Sequence, residues 1–313
     1  MATKVINRII ANVNKVIVGK EETVKLLLTA MLASGHVLIE DMPGSGKTKL
    51  AKALSKSISL DFSRIQFTPD LLPTDITGLN IFNKEKNEFE LKKGPVFTNI
   101  LLADEINRAT PRTQAGLLEA MEEKQVTIDG ETHRLNSPFF VMATQNPIET
   151  QGTFPLPEAE LDRFLMKISM GRPTYDEELD IMERFMGEDP LDGLTSVASA
   201  EDIKAMREES KNVFVSPDVR RYILNIVTKT REHAKVLSGV STRGTLALMN
   251  ASKAYALVCG RNYVIPDDVN TLSVPVLSHR LLLSYGQGNS NEASKIIREI
   301  VSLTEKPTEN FKR

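Results

Sequence analysis

Apolar residues recur along the first part of the chain at two different spacings. Val5, Ile6, Ile9, Ile10, Val13 and Val16/Ile17 fall three to four positions apart, which predicts a helix over residues 4–18. A second helix is expected over Thr23 to Ala33. The spacing then collapses into a short unbroken run, Val37-Leu38-Ile39, and similar runs follow at Arg64–Phe67, Asn99–Ala103, Phe139–Thr144 and Leu165–Met170. Short apolar runs bounded by polar turns predict strands buried on both faces. Helical segments lie between them, notably Pro111–Lys124. Strands alternating with helices predict an α/β fold, a parallel five-stranded sheet flanked by helices.

Two insertions interrupt the alternation. Within residues 68–98, I-F-N-K-E-K-N-E-F-E-L alternates apolar and polar positions around a polar turn and reads as a hairpin. Residues 125–138 hold a second hairpin, Q-V-T-I-D-G-E-T-H-R-L, turning at Asp129-Gly130. After Gly171-Arg172-Pro173 the character changes. A charged helix is expected over 176–188, then a Gly/Pro/Asp/Ser linker over 187–198. Helical patterns follow at about 200–211, 217–237, 242–259, 266–283 and 291–303, with no strand pattern of comparable strength. The organisation expected is therefore an α/β core with its two insertions over 1–173 and a small all-helical domain, with its linker, over 174–313. Residues 305–313 are polar and read as a frayed end.

Composition narrows the function only a little. With 313 residues, 41% hydrophobic and 26% charged, the chain reads as a soluble globular protein of one large or two medium domains. The net charge of −2 gives no electrostatic reason to expect nucleic acid as the main partner. The single cysteine, Cys259, excludes an internal disulfide framework and is expected to be a small core residue. The N-terminus lacks an apolar signal core, and no run reaches the ~18 apolar residues of a membrane span. The expectation is a cytoplasmic protein with no membrane insertion.

The stretch from Val37 to Thr48, V-L-I-E-D-M-P-G-S-G-K-T, carries the clearest chemistry. An apolar strand meets a Pro/Gly-rich turn that runs into a helix, which is the layout of a phosphate-binding loop. Gly44 and Gly46 allow the tight turn around Ser45, the helix N-terminus adds partial positive charge, and Pro43 and Lys49, on either side of the turn, are expected to bind nucleotide with it. Lys47 can reach the β- and γ-phosphates, and the Thr48 hydroxyl can ligate Mg²⁺. Asp41 stands where the usual loop has its first glycine. If its carboxylate faced the phosphates, nucleotide affinity would fall; if it turned away, the position would ask only for the turn.

Three later segments extend the site. I-L-L-A-D-E delivers Asp104 and Glu105 to a strand's C-terminal end, where α/β sheets bind ligands. Asp104 can hold Mg²⁺ and Glu105 can polarise an attacking water. V-M-A-T-Q-N-P brings Asn146, a neutral amide able to touch a γ-phosphate oxygen and orient water, to the end of the next strand. In L-P-E-A-E-L-D-R-F, Arg163 is either a cation for phosphoryl charge or a salt-bridge partner of Asp162 or Glu158.

Together with R-I-Q-F-T-P-D-L-L-P-T-D-I-T-G, G-P-V-F-T-N-I, L-L-E-A-M-E-E-K-Q-V-T-I-D-G and G-T-F-P-L-P-E-A-E-L-D-R-F, these strings resemble the MoxR family of AAA+ ATPases. The resemblance is dense from about residue 16 to 173 and thinner beyond, where the helical part is similar to an AAA+ lid. It implies a P-loop NTPase binding ATP and Mg²⁺. Residues 44–48 match Walker A, and Asp104 and Glu105 match Walker B as Mg²⁺ ligand and catalytic base. Asn146 matches sensor 1 and Arg163 the arginine finger, acting on ATP held by a neighbouring subunit. Arg243, in G-V-S-T-R-G-T-L-A-L, matches sensor 2, although Thr242 stands where many relatives have proline, and whether it acts in cis or in trans is left open. Val18 and Gly19 match the segment near adenine. The two insertions resemble the helix-2 insert and the pre-sensor-1 hairpin of the MoxR, magnesium chelatase and MCM-like group. The family implies a homo-oligomer, a hexameric ring, working with a protein client and in some relatives with a von Willebrand factor A domain protein.

Two other readings accompany the motor. A nucleotide-gated scaffold with little turnover is motivated by Asp41. A nucleic-acid motor is motivated by the shared insertions, but the 125–138 hairpin sets Arg134 and His133 beside Asp129 and Glu131.

Overall fold

In the computed structural model, which describes residues 2–42, 44–147, 152–284 and 290–308, the chain begins with paired helices. α1 (Ala2–Val13) buries Val5, Ile6, Ile9, Ile10 and Val13 along one face. It stops at Val13, short of the predicted Val18. Val16, Ile17 and Val18 are buried all the same, from a turn that Gly19 closes at φ 67°. α2 (Glu21–Leu32) opens on Glu21 and Glu22, acids that complement a helix N-terminus.

β1 (Val37–Glu40) leads through the Gly-rich turn into α3 (Lys47–Ile58), and β2 (Phe62–Gln66) follows. The first insertion holds a short α4 (Pro73–Thr77), absent from the sequence expectation, and then the hairpin of β3 (Gly78–Asn83) and β4 (Glu88–Lys93). β5 (Ile100–Asp104) precedes α5 (Pro111–Glu123). β6 (Gln125–Ile128) and β7 (Glu131–Arg134) form the second hairpin. Its turn residues Asp129 and Gly130 sit at φ 49° and 86°, the left-handed pair a tight hairpin turn requires. β8 (Phe140–Gln145), α6 (Glu158–Leu161) and β9 (Met166–Ile168) complete the core.

The core strands form one five-stranded parallel sheet in the order β2-β5-β8-β1-β9. Because side chains alternate along a strand, the sheet divides the core in two. Val37, Ile39, Ile100, Leu102, Phe140 and Met142 face α1, α2 and α3. Leu38, Leu101, Ala103, Val141 and Ala143 face α5 and the second hairpin. Four of the five β5 residues are fully buried, which is why that strand reads as an unbroken apolar run.

A coil leads from β9 to α7 (Tyr175–Arg184), and α8 (Ala200–Lys211), α9 (Pro217–Glu232), α10 (Thr242–Val258), α11 (Pro266–Leu277) and α12 (Ser290–Ser302) follow. Among the described residues this part is mainly helical, with a parallel bridge between Phe214 and Tyr263 and a small antiparallel ribbon, which the helical periodicity concealed. Val236–Ser238 pairs with Leu282–Leu283 where helices had been expected to run on to 237 and 283. The helices pack on the same sheet face as α3. Met206, Tyr222 and Leu248 share one apolar cluster with Ile6, Leu28 and Leu54, and Arg207 Nε donates to the Met31 carbonyl at 2.8 Å. Cys259 is not a core residue: it caps α10 and is exposed, because α10 turns its apolar face away one residue earlier. Among the described residues no helix is long and apolar enough to cross a membrane.

Candidate active site

Parallel strands bring the ends of β1, β5 and β8 to one edge of the sheet. Register places Gln145 opposite Glu40, and β8 lies between β1 and β5. The Gly-rich turn, Asp104-Glu105 and Asn146 therefore share that edge. Asn146 follows Gln145 directly and is half-buried.

Gly44 and Gly46 have φ values of 82° and 86°, and a Cβ at either would meet nothing within 4 Å. Backbone conformation rather than crowding therefore demands glycine, and the space in front of both is open. Gly46 immediately precedes Lys47, the first residue of α3, whose first-turn N–H groups have no partner within the helix. The Ser45 hydroxyl is buried without a hydrogen-bond partner. Lys47 Nζ donates to the carbonyls of Asp41 (3.1 Å) and Met42 (3.0 Å), so its charge is held at the mouth of the turn. An open concave turn, an orphan hydroxyl and a lysine at its rim fit a polyphosphate. Thr48 lies in the first turn of α3, half-buried. Pro43 lies outside the described residues.

The Asp41 carboxylate turns away from this turn. It accepts from Ser169 Oγ at 2.6 Å, the Met170 N–H at 2.5 Å and the Gly171 N–H at 3.4 Å. The acid in place of the first glycine thus holds the chain where it leaves β9. Lys49 is also directed away from the phosphate side: Nζ lies 2.9 Å from Asp189 Oδ2 and 3.6 Å from the centroid of the Phe185 ring. Val18 is buried, and a Cβ on Gly19 would lie 1.8 Å from Glu177 Oε1, so Gly19 packs against the first turn of α7.

The two carboxylates after β5 are held by residues the motifs do not mark. Thr144 Oγ1 donates to Asp104 Oδ1 at 2.6 Å and accepts the Glu105 N–H at 2.9 Å. Arg64 NH2 donates to Asp104 Oδ2 at 2.7 Å, so this oxygen already accommodates a positive charge, as a Mg²⁺ ligand must. Glu105 sits at φ 57°, an unusual conformation for a non-glycine residue, which swings it out of the strand direction. Its Oε2 accepts from Gln66 Nε2 (2.7 Å) and Arg108 NH1 (3.1 Å). The signal for Thr144 was a polar residue closing an apolar strand. Arg64 and Gln66 alternate with the buried Ile65, so they could have been assigned to the exposed face of β2.

Arg163 and Arg243 are not at this edge. Arg163 precedes β9, and β9 starts opposite Val37, the first residue of β1, with the Leu165 N–H on the His36 carbonyl at 2.9 Å. The phosphate turn follows the other end of β1, four residues away, a span of ~13 Å. Arg163 Nε donates to Glu122 Oε2 at 2.8 Å and its NH1 to the Ala159 carbonyl at 3.2 Å. Its ion-pair partner is thus Glu122, not the expected Asp162 or Glu158, because the end of α5 reaches this edge. Arg243, in the first turn of α10, lies 3.4 Å from the other Glu122 oxygen and 3.9 Å from Asp162. Asp162 is fixed by the buried Arg280, whose Nε donates to it at 2.6 Å. The Arg280 guanidinium also donates to the Phe164 carbonyl at 2.8 Å, and burial lowers its pKa. The candidate residues thus fall into two groups at opposite ends of the sheet's strands.

Comparison with known proteins identifies the family. Residues 36–166 match the ATPase family associated with various cellular activities (AAA), and residues 228–300 match the AAA lid domain. YeaC of Bacillus subtilis is 50% identical over 97% of this chain and 95% of its own. Chaperone MoxR1 of Mycobacterium tuberculosis is 44% identical over 90% of this chain and 76% of its own. A solved structure from Cytophaga hutchinsonii, provisionally described as an ATPase, superposes with a TM-score of 0.89 at 40% identity, covering 98% of this chain and 96% of that one. A glycine turn, two carboxylates and an asparagine on one sheet edge, a C-terminal part that matches the AAA lid domain, and relatives of this closeness give the assignment: the chain belongs to the MoxR family of AAA+ ATPases.

Proposed function

We propose that the chain is a Mg²⁺-dependent ATP hydrolase that works as a homo-oligomer, each ATP lying between the phosphate-turn edge of one copy and the arginine edge of the next. The observation that carries this reading is the separation of the two groups. Arg163 and Arg243 lie at the opposite end of the strands from Lys47, so a single copy does not bring them to its own phosphate turn.

Each residue then has a task. The N–H groups at the start of α3 and Lys47 bind the phosphates. Thr48 and Asp104 would hold Mg²⁺, which supplies charge neutralisation at the phosphate oxygens. Glu105 accepts the proton of the attacking water, and Asn146 orients that water. Val18 and Gly19 border the adenine. Arg163 of a neighbouring copy, with Arg243 beside it, offsets the charge that spreads over the transferred phosphoryl group, an effect worth ~10³–10⁵ in kcat in comparable sites. A trans arginine ties hydrolysis to the fit between subunits, which suits a remodelling motor acting on a protein client. The name of the relative Chaperone MoxR1 supports that role. By family analogy the oligomer is a six-membered ring, with a von Willebrand factor A domain protein as a candidate partner.

The test is complementation. Arg163→Ala and Glu105→Gln should each abolish hydrolysis while still binding ATP. Mixed in equal amounts, they should recover activity, because about a quarter of the interfaces join an intact Glu105 to an intact Arg163. Absence of recovery in mixed oligomers, or loss of ATP binding by monomeric Arg163→Ala, would refute a shared site. Wild-type turnover no higher than that of Glu105→Gln in the assembled state would favour the nucleotide-gated scaffold instead.

A further inference from the structure

Asp41 occupies a junction that no phosphate-loop role accounts for. It is 8% exposed, and each of its polar groups is directed to a different element. Its N–H donates to the Gln145 carbonyl at 3.2 Å, at the end of β8 and one residue before Asn146. Its carbonyl accepts from Lys47 Nζ at 3.1 Å. Its carboxylate takes the Ser169 hydroxyl and the N–H groups of Met170 and Gly171. One residue therefore joins the sensor strand, the phosphate-binding lysine and the chain that leaves the core for α7.

The neighbours strengthen the same connection. Arg172 NH2 lies 3.2 Å from Met42 Sδ, in the phosphate turn. Lys20 Nζ donates to the Arg172 carbonyl at 3.4 Å and pairs with Glu177 at 3.9 Å. Lys49, one turn into the nucleotide-side helix, grips Asp189 and the Phe185 ring. Residues 169–172 are thus held by the turn, Arg172 and Glu177 by Lys20, and Phe185 and Asp189 by Lys49 of α3. Lys47 is the moving part. A bound phosphate draws its ammonium away from the Asp41 and Met42 carbonyls, since a charged acceptor outcompetes a neutral one.

We propose that Asp41 is a positioning residue that couples phosphate occupancy at Lys47 to the 169–171 segment, and through it to α7 and the helices beyond. It touches no phosphate. It transmits the change in Lys47 because its carboxylate is the only acceptor, among the described bonds, that ties the turn to Ser169, Met170 and Gly171. The inference rests on the reading of the turn as an ATP site.

The experiment is Asp41→Gly, which restores the glycine of the usual loop and removes the carboxylate with the rest of the side chain. Its KM for ATP should stay within about 3-fold while kcat falls about 10-fold. Hydrogen exchange supplies the readout that a purely structural role would not move. In the wild type a non-hydrolysable ATP analogue should slow exchange in both α3 and residues 170–189; in Asp41→Gly only α3 should respond. Ser169→Ala, which removes one of the three donors, should shift kcat in the same direction by less, and it decides the matter alone if Asp41→Gly does not fold. Unchanged kcat in these variants, or a kcat loss matched by an equal loss of ATP affinity, would overturn the proposal. If the analogue slows nothing in the wild type, α3 included, the nucleotide reading itself fails and takes this inference with it.

Discussion

Replacing Thr144 with valine removes one hydroxyl and keeps the side chain's shape. Thr144 is 1% exposed, so no water can take the place of the lost group. Two bonds disappear together: the donation to Asp104 Oδ1 at 2.6 Å and the acceptance of the Glu105 N–H at 2.9 Å. A hydrogen bond to a charged group contributes ~1.5–3 kcal/mol and a neutral one ~1 kcal/mol. Asp104 keeps Arg64, which offsets part of the first loss. The expected destabilisation is about 2–3 kcal/mol, which lowers Tm by roughly 3–5 °C in a chain of this size. The effect on turnover should be larger than this suggests. Glu105 holds a left-handed backbone at φ 57°, which costs ~1–2 kcal/mol in a non-glycine residue, and the Thr144 hydroxyl is the acceptor of its N–H. Without it both carboxylates lose their common anchor, and kcat should fall by about 10–100-fold with KM for ATP little changed. Thermal unfolding and steady-state ATP hydrolysis, measured at a temperature where both proteins are folded, read the two effects. Thr144→Ser keeps the hydroxyl and should restore both. Thr144→Val matching the wild type in Tm and kcat, or serine behaving like valine, would refute the argument.

Two further effects follow from buried groups at the arginine edge. His36 Nδ1 accepts the Val141 N–H at 3.0 Å, so its other nitrogen carries the proton and donates to the Met121 carbonyl at 3.1 Å. Burial pushes its pKa down to about 4. Between pH 6.5 and 4 the unfolded chain takes up a proton that the folded chain refuses. The stability His36 contributes is therefore complete above pH 6.5 and lost as pH falls to 4, by about 3 kcal/mol. Urea unfolding at pH 7.5 and 4.5 should show this loss in the wild type and a smaller one in His36→Gln, and equal slopes would contradict it. Arg280→Leu should cost about 2–3 kcal/mol, because it takes from Asp162 its nearest donor, while the Phe164 carbonyl keeps His279 Nε2 at 3.0 Å. A loss below about 1 kcal/mol in chemical denaturation would show that the site relaxes around the gap.

The core was legible because burial on both faces writes strands as unbroken apolar runs. Ile100–Ala103 and Val37–Ile39 could hardly be read otherwise. The phosphate turn was legible because glycine at positive φ leaves a mark in the sequence. The arginine edge was not. Glu122 meets Arg163 only because α5 ends where β9 begins, a contact across 41 positions that no local pattern encodes. Thr144, Arg64 and Gln66 escaped for a similar reason, since each meets its carboxylate through sheet pairing rather than through spacing along the chain. Asp41 was visible as a departure from the usual loop, but its partners lie 128 to 130 positions away. Cys259 was misplaced because its apolar neighbours belong to a helix that ends just before it.

The same α5 that hid the arginine edge also links it to the chemistry. A short 3₁₀ turn over Ile106–Arg108 joins Glu105 to the start of α5, and Arg108 bonds the Glu105 carboxylate at 3.1 Å. The other end of α5 carries Glu122, which holds Arg163 and approaches Arg243. The helix has 13 residues and spans ~20 Å, with Leu117, Leu118 and Met121 packed beneath the sheet. A packed helix of that kind moves as a unit rather than bending. In an assembled ring, Glu105 would act on the ATP of its own copy while Arg163 acted on the ATP of the neighbour. A shift of Glu105 that moved α5 along its axis would alter the grip of Glu122 on both arginines. On the proposed shared site, the base of one copy and the finger it offers to the next would then be the two ends of one helix.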